Sequence, residues 1–223
     1  MRKVFVLSLL MAFAASHSRL EAQSNARYSV TVTNLTKGQT FTPLIFATHT
    51  PAVRIFAPGT QASPQLQVLA EEGDPAMLAA LLRGMTAEVR EVVVAPNFLS
   101  PAVTATFQIM SGGAFSQLSV AAMLIPTNDA FAGLSGLTLP MGFDPVVVDL
   151  LAYDSGTEIN DERCASIPGP SFAECGGPGG GARAGRGEGA VTVHNGMHGV
   201  GDMTRPLRDW RGPVARVTVQ RVQ

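Results

Sequence analysis

"YSVTVTNLT", residues 28–36, decides the fold, because apolar and polar side chains alternate along it. Successive side chains of a β-strand point to opposite faces of a sheet. Here the apolar residues at 28, 30 and 32 share one face, and the hydroxyl residues at 29, 31 and 33 share the other. The stretch therefore predicts a half-buried strand of an antiparallel sheet.

Seven further segments have the composition of strands and are separated by Gly, Pro, Ser and Asn. They are FTPLIFATH (41–49), EVREVVVAP (88–96), TATFQIMS (104–111), LSVAAMLIP (118–126), DPVVVDLLAY (144–153), GAVTVHNGM (189–197) and GPVARVTVQRV (212–222). About eight strands with turns between them predict an all-β fold, an antiparallel β-sandwich.

An insertion after the second predicted strand carries helix signals. Ser63 is a natural N-cap, Pro64 fits the first helical position, and PQLQVLAEE stops at Gly73. An Asp-Pro pair at 74–75 repeats the start signal ahead of leucines at helical spacing. These features predict two short helices in succession.

The N-terminus has the pattern of a signal peptide. MRK is a short positive segment, VFVLSLLMAFAA (4–15) is an apolar segment too short to span a bilayer comfortably, and Ala22 suits cleavage. We therefore expect residues 1–22 to be removed and the protein to be secreted or periplasmic. Association with the cell surface is included in this expectation. An uncleaved membrane anchor is the alternative. No later segment is long and apolar enough to cross a membrane.

Charge and cysteine content narrow the expected partners. A net charge of −1 gives no reason to expect nucleic acid or an anionic membrane as the main partner. Cys164 and Cys175 flank a loop that contains Pro and Gly, and in an oxidising compartment they predict a disulfide. A metal-thiolate site is the weaker alternative, because no C-x-x-C spacing accompanies them. The Gly-rich segment 176–189 is predicted to be a mobile surface loop.

The segment LLAYDSGTEINDE, residues 150–162, holds four acids within nine residues and no basic residue between them. Asp129, in MLIPTNDAFAG (123–133), and Asp154 both lie just beyond predicted strand ends, and loops at one end of a sandwich converge. Carboxylates from several loops suit Ca²⁺, and the DSGTE spacing lets Asp154 and Glu158 surround one ion. The alternative is a set of solvated turns, with Arg163, Arg205 or Arg208 as ordinary ion-pair partners.

Three histidines outside the signal segment suggest a different metal. His194 and His198 are four residues apart, and a turn could bring both rings to His49 in a zinc site. Strand-end histidines that bond to backbone carbonyls are the simpler alternative. No G-x-S-x-G, H-E-x-x-H, P-loop or Rossmann motif occurs in the sequence.

Several segments, in order, resemble the spondin N-terminal domain, the module of F-spondin-type matrix proteins and of many exported bacterial proteins. They are FTPLIFATHT (41–50), GTQASPQLQVLAEEGDP (59–75), MLIPTNDAFAG (123–133) and LLAYDSGTEINDE (150–162). VHNGMHGVGD (193–202) and DWRGPVARVTVQRV (209–222) resemble the ending of the bacterial members. The resemblance covers about residues 27–222.

The resemblance implies a β-sandwich similar to C2 domains, with a calcium ion held by loop carboxylates. It carries the metal-binding acids onto Asp129, Asp154 and Glu158. Glu158 replaces an Asp of the animal motif, and Ala130 replaces a Trp after the first acid; both changes bear on calcium affinity.

Two functions follow as expectations. The first is an exported, non-enzymatic, calcium-binding adhesion or interaction module whose partner is an extracellular protein or glycan. The second is an exported zinc-dependent hydrolase that uses His49, His194 and His198.

Overall fold

The computed structural model describes residues 25–223. Over this range the chain forms twelve strands: β1 Ala26–Asn34, β2 Thr40–Phe41, β3 Ile45–His49, β4 Val89–Val94, β5 Thr104–Ser111, β6 Gln117–Ile125, β7 Ala130–Thr138, β8 Val146–Asp154, β9 Ser171–Phe172, β10 Gly177–Pro178, β11 Thr192–Val193 and β12 Ala215–Arg221. Its three helices are α1 Pro64–Glu72, α2 Ala76–Gly84 and α3 Arg205–Arg208. The predicted signal peptide lies outside the described residues.

The stretch 28–36 supplies most of β1, and the burial of its side chains alternates along the strand as the sequence predicts. Tyr28, Val30 and Val32 are buried, while the residues between them reach the surface. β1 pairs antiparallel with β12 on one side and with β5 on the other. On the solvent face, hydroxyl pairs such as Thr31–Thr106, 2.9 Å apart, join β1 to β5.

The long strands follow one another in the order β4-β3-β6-β7-β8-β12-β1-β5, and every pairing between them is antiparallel. The two ends of this series meet: Thr48 donates a hydrogen bond of 2.7 Å to the Met110 carbonyl, and Glu91 accepts one from the Met110 N–H. The series therefore wraps around an apolar interior. The prediction of an all-β, antiparallel fold is confirmed.

β8 changes its partners half-way along. Residues 146–150 pair with β12, whereas residues 151–154 pair with the first half of β7. The change occurs between Leu150 and Leu151, and the last residue of β8 is Asp154. β8 thus joins two groups of strands and ends at Asp154, the first acid of the acid-rich segment, residues 150–162.

Both predicted helices are confirmed; α1 has the predicted caps, whereas the N-cap of α2 is Pro75, one residue after the expected Asp74. The Ser63 side chain accepts a hydrogen bond from the Leu66 N–H at 3.2 Å, and Gly73 ends α1 in the left-handed conformation. At the next helix, Asp74 accepts a hydrogen bond from the Ala76 N–H at 2.8 Å. Buried leucines of α1 and α2 cover the outer face of the sheet and form a second apolar cluster there. None of the helices among residues 25–223 is long and apolar enough to span a bilayer.

β7 is the one long strand among the described residues that the sequence patterns did not predict; the two-residue strands β9 and β10 were also missed. Its sequence, AFAGLSGLT, is rich in Ala, Gly and Ser rather than in β-branched residues. Gly133 is needed because a Cβ there would lie 2.7 Å from the ring of Phe56. β7 is a central strand, between β6 and β8, so the missed element is one that the site depends on.

The segment after β8 is held by a disulfide and by close backbone contacts. Cys164 and Cys175 form the predicted disulfide. The Gly-rich segment 176–189 packs against the acid-rich segment: a Cβ at Gly187 would lie 2.4 Å from the Glu158 carbonyl oxygen, and one at Gly156 would lie 2.3 Å from that of Ala190. The sequence did not indicate this packing; the mobility of the segment stays a prediction.

Candidate functional site

Asp129 and Asp154 lie side by side because β7 and β8 are neighbours. Asp129 precedes β7 directly, and Ala130 stands opposite Asp154 in the antiparallel register. The Ser155 N–H also donates to the Asp129 carbonyl oxygen at 3.2 Å. The expected convergence of the two loops is therefore observed, and strand pairing produces it.

The carboxylate of Asp129 is fully buried and unevenly bonded. Its Oδ2 accepts hydrogen bonds from the Ser155 hydroxyl at 2.8 Å, the Thr157 N–H at 2.9 Å and the Glu158 N–H at 3.1 Å. Its Oδ1 is buried and has no hydrogen-bond partner among the described residues. An unpartnered buried carboxylate oxygen is costly, so this atom marks a place where a positive ligand would be stabilising.

Asp154 is buried beside Asp129. Its oxygens accept hydrogen bonds from the Gly156 N–H, at 2.7 Å, and from the Asn160 amide. Burial raises the pKa of Asp154 to about 7, and the neighbouring charge of Asp129 adds to this rise. The site thus disfavours two ionised carboxylates unless a cation accompanies them.

Glu158 is the third predicted calcium residue, and it too is buried. Burial raises its pKa to about 7, and the charges of Glu71 and Asp129 contribute to the rise. Its carboxylate accepts a single hydrogen bond, from the Ala184 N–H at 3.3 Å. Arg183 favours ionisation of Glu158 but forms its ion pair with Glu71, at 3.0 Å.

Of the three arginines proposed as ordinary partners of these acids, Arg205 and Arg208 pair elsewhere, whereas the charge of Arg163 helps to lower the pKa of Asp161. Arg208 forms an ion pair with Glu174 at 2.8 Å, and Arg205 lies 3.5 Å from Asp209. Across residues 25–223 no set of three or more His, Cys, Asp and Glu side chains is arranged to hold a metal ion. The structure thus brings Asp129 and Asp154 together as a pair and leaves Glu158 bonded to the Gly-rich segment.

The remaining two acids of the segment are satisfied by hydrogen-bond donors. Glu162 accepts hydrogen bonds from three consecutive backbone N–H groups, those of residues 198–200. Asp161 accepts from the Asn128 amide at 3.0 Å, the Ser166 hydroxyl at 2.8 Å and the Arg163 N–H at 3.0 Å. Burial opposes ionisation of Asp161, but these hydrogen bonds outweigh it and lower its pKa.

The three histidines of the zinc alternative are divided between two places. His194 and His198 have nearly parallel rings with centroids 6.4 Å apart, and burial lowers the pKa of His194 to about 4. The Gly196 N–H donates to Nδ1 of His194, so Nε2 carries the proton and faces the side-chain amide oxygen of Asn160, Oδ1, at 3.3 Å. The ring of His49 instead contacts Thr50 and Ser119.

The contact of His49 with Ser119 is a pair that sequence reasoning missed. Nδ1 of His49 lies 2.8 Å from the Thr50 carbonyl oxygen and therefore carries the proton, so the Ser119 hydroxyl donates to Nε2 at 2.7 Å. Ser119 is 1% exposed and His49 is 0% exposed. A substrate cannot reach either side chain in this arrangement, and the pair gives no support to a hydrolase.

The family model of the spondin N-terminal domain, Spondin_N, matches residues 26–162. The chain belongs to the spondin N-terminal domain family. The match runs from β1 to Glu162 and includes both segments that supply the paired acids. In this spondin domain the disulfide, the Gly-rich segment and the His194–His198 turn come after the matched region. No curated protein matches the chain.

The donor set of the spondin domain fits a hard divalent cation. Asp129, Asp154 and Glu158 offer carboxylate oxygens, with no thiolate or imidazole among them, and the Oδ1 of Asp129 lacks a partner. Oxygen donors of this kind are those that Ca²⁺ prefers, with flexible coordination. Among protein side chains, those that would hold the ion are therefore Asp129 and Asp154 first, then Glu158.

Proposed function

We propose that this spondin domain is an exported, non-enzymatic, calcium-binding module for adhesion or interaction. The observation that carries the proposal is the buried, unpartnered Oδ1 of Asp129 beside the carboxylate of Asp154. Calcium would supply the positive charge that these groups lack and would order the loops at this end of the fold. Its role in this proposal is structural.

The proposal includes the finer architecture. The eight strands of five or more residues form two groups that β8 joins, which supports a C2-like β-sandwich closed along one side. In such a sandwich the acid-rich segment lies at one end, where ordered loops can present a binding surface. An extracellular protein or a glycan is the partner class that we propose.

The chain's own residues explain why an ion here would order loops. Asp129 binds the backbone of Thr157 and Glu158, and Glu158 in turn binds the Gly-rich segment through Ala184. Neutralising Asp129 and Asp154 would therefore stabilise two loops that are far apart in sequence. The free energy gained would rise with the concentration of free calcium.

Isothermal titration of the EDTA-dialysed protein tests the proposal. We expect saturable binding of one Ca²⁺, weaker binding of Mg²⁺, and loss of Ca²⁺ binding in Asp154→Asn. Asp161→Asn is the matched control, because Asp161 lies in the same segment but has its own hydrogen-bond donors. Absence of Ca²⁺ binding, or equal loss in both variants, would reject the site; tight Zn²⁺ binding alone would favour the histidines.

A further inference from the structure

A cleft of about 440 Å³ opens beside β8, and neither of the paired acids lines it. β12 pairs with β8 as far as Leu150, and β11 begins to pair with it at Tyr153, so the cleft lies at the gap between them. We call it the arginine cleft. The residues used in the argument are Leu151, Val193, Asn195, Arg205, Trp210 and Arg211.

Two guanidinium groups of the arginine cleft share one acid. Arg205 lies 3.5 Å and Arg211 lies 3.9 Å from the same oxygen, Oδ2 of Asp209. Neither guanidinium makes any other ion pair or hydrogen bond within residues 25–223. Each carries five N–H donors in a planar fork. The cleft therefore has more positive than negative charge and a surplus of donors.

The other acceptor of this acid is already used. Oδ1 of Asp209 accepts a hydrogen bond from the Met197 N–H at 3.1 Å, and the Asp209 side chain is only 14% exposed. Arg205 and Arg211 are 52% and 86% exposed. Asp209 is thus fixed in the wall of the cleft, whereas the two guanidinium groups are accessible to a ligand.

Apolar and uncharged polar side chains also line the arginine cleft. Leu151 and Val193 expose aliphatic surface, with relative exposures of 37% and 46%. The side-chain amide of Asn195 is exposed and has no hydrogen-bond partner among the residues that the structure describes. An apolar wall, a free amide and two guanidinium groups therefore line one space.

We propose that the arginine cleft binds an acidic saccharide, a sugar that carries a carboxylate. The guanidinium forks match a carboxylate in bidentate geometry, the amide can bind hydroxyl groups, and the aliphatic wall can cover the C–H face of a sugar ring. An extended peptide fits less well because it needs a free strand edge. At this gap the carbonyls of Leu150 and Ala152 already accept hydrogen bonds from the N–H groups of Val214 and His194.

The inference goes beyond the calcium site, since none of Asp129, Asp154 and Glu158 lines the cleft. It rests on the proposed function only in treating the protein as a binding module. The charges that it uses belong to the chain itself, so binding is expected without calcium.

Trp210 makes the test direct. It lines the cleft and is the sole tryptophan of the 223 residues, so its fluorescence reports on this site. The experiment titrates trigalacturonate, with neutral galactotriose and a triglutamate peptide as comparators, in buffer with EDTA. Calorimetry of the same samples detects binding that leaves the fluorescence unchanged. We expect saturable binding of trigalacturonate with a Trp210 response, at least about tenfold tighter than binding of either comparator.

Matched variants locate the site. Arg205→Gln and Arg211→Gln are each expected to weaken trigalacturonate binding about tenfold. Arg186→Gln, which removes the same charge from an exposed arginine outside the cleft, is expected to leave the affinity unchanged. Far-UV circular dichroism verifies that each variant is folded, which the exposure of Arg211 favours.

The outcomes that overturn the inference are specific. They are no binding of trigalacturonate, binding without a Trp210 response, affinity unchanged by both cleft variants, or equal affinity for the triglutamate peptide. Calcium titration of the Arg211→Gln protein keeps the two proposals apart: retained calcium binding with lost saccharide binding is the expected pattern. In Asp154→Asn the expected pattern is the reverse: calcium binding is lost and saccharide binding is retained.

Discussion

The two halves of the acid-rich segment have the same kind of side chain and opposite surroundings. Glu162 and Asp161 accept hydrogen bonds from several backbone and side-chain donors. Asp154 and Glu158 are buried beside Asp129 or Glu71, and their pKa values rise to about 7. The supply of hydrogen-bond donors, and not the spacing of acids, distinguishes the two halves.

The difference arises from what lies opposite each half. Glu162 faces a turn whose glycine, Gly199, and its neighbours direct three N–H groups at one carboxylate. Asp154 faces the start of β7, where the neighbouring charge is another carboxylate, Asp129. The comparison predicts that variants of Asp161 and Glu162 change stability without changing the response to calcium, whereas variants of Asp154 and Glu158 change that response.

Asp129→Ala is expected to have the largest effect. It leaves the Ser155 hydroxyl and the N–H groups of Thr157 and Glu158 without their acceptor, at a cost of about 4 kcal/mol in the free energy of unfolding. Urea unfolding measures this cost. Asp149→Ala, at an exposed ion pair with Arg216, is the matched control and should change little. Equal effects in the two variants would contradict the organising role of Asp129.

Glu162→Gln should come next, at about 2 kcal/mol, because an amide cannot replace a carboxylate toward three N–H donors. The same urea unfolding in EDTA and in millimolar calcium measures it. The calcium-dependent gain should remain as large as in the unmodified protein. If calcium does not raise the free energy of unfolding of the Glu162 variant, the distinction between the two halves is contradicted.

The calcium-free protein should become less stable as pH rises from about 4 to about 7. Unfolded Asp154 and Glu158 ionise near 3.8 and 4.5, whereas in the folded protein their pKa values are about 7. The folded protein therefore binds more protons in this window, and that stability is lost as pH rises through it. His194, whose pKa burial lowers to about 4, opposes the trend, since its unfolded form binds the extra proton up to about 6.5.

Urea unfolding at a series of pH values in EDTA measures this dependence. In the double variant Asp154→Asn, Glu158→Gln the fall should disappear, which leaves the rise that His194 contributes. A fall that persists in the double variant would show that other groups cause it.

Asp161→Asn should have the smallest effect, about 1 kcal/mol, because an amide oxygen in place of Oδ1 still accepts two of the three existing hydrogen bonds. Its calcium affinity, measured by titration calorimetry, should equal that of the unmodified protein. A tenfold loss of calcium affinity would show that the metal site includes Asp161, contrary to the distinction between the two halves.

Much of the fold could be predicted from local chemistry. The alternation of β1 and the caps of α1 are properties of short stretches, and each has the predicted form. β7 could not be predicted in this way, because its Ala and Gly residues are selected by contacts from distant parts of the chain, such as Phe56 on Gly133.

The site was predictable only in part for the same reason. That Asp129 and Asp154 each follow an apolar strand could be read from the sequence, but the pairing of β7 with β8 that brings them together could not. The donors that satisfy Glu162 come from residues 198–200, and their direction depends on a turn that has no sequence signature. The arginine cleft, at a gap between β11 and β12, is likewise a product of strand register.

The central claim is that Asp129 and Asp154 bind a cation. Thermal unfolding of Asp154→Asn beside the unmodified protein tests it most directly. In EDTA at neutral pH, we expect the variant to unfold at a higher temperature, because it removes one of two crowded buried carboxylates. In millimolar calcium the unmodified protein should rise by several degrees and the variant should not. An unmodified protein that does not respond to calcium, or a variant that responds equally, would contradict the account.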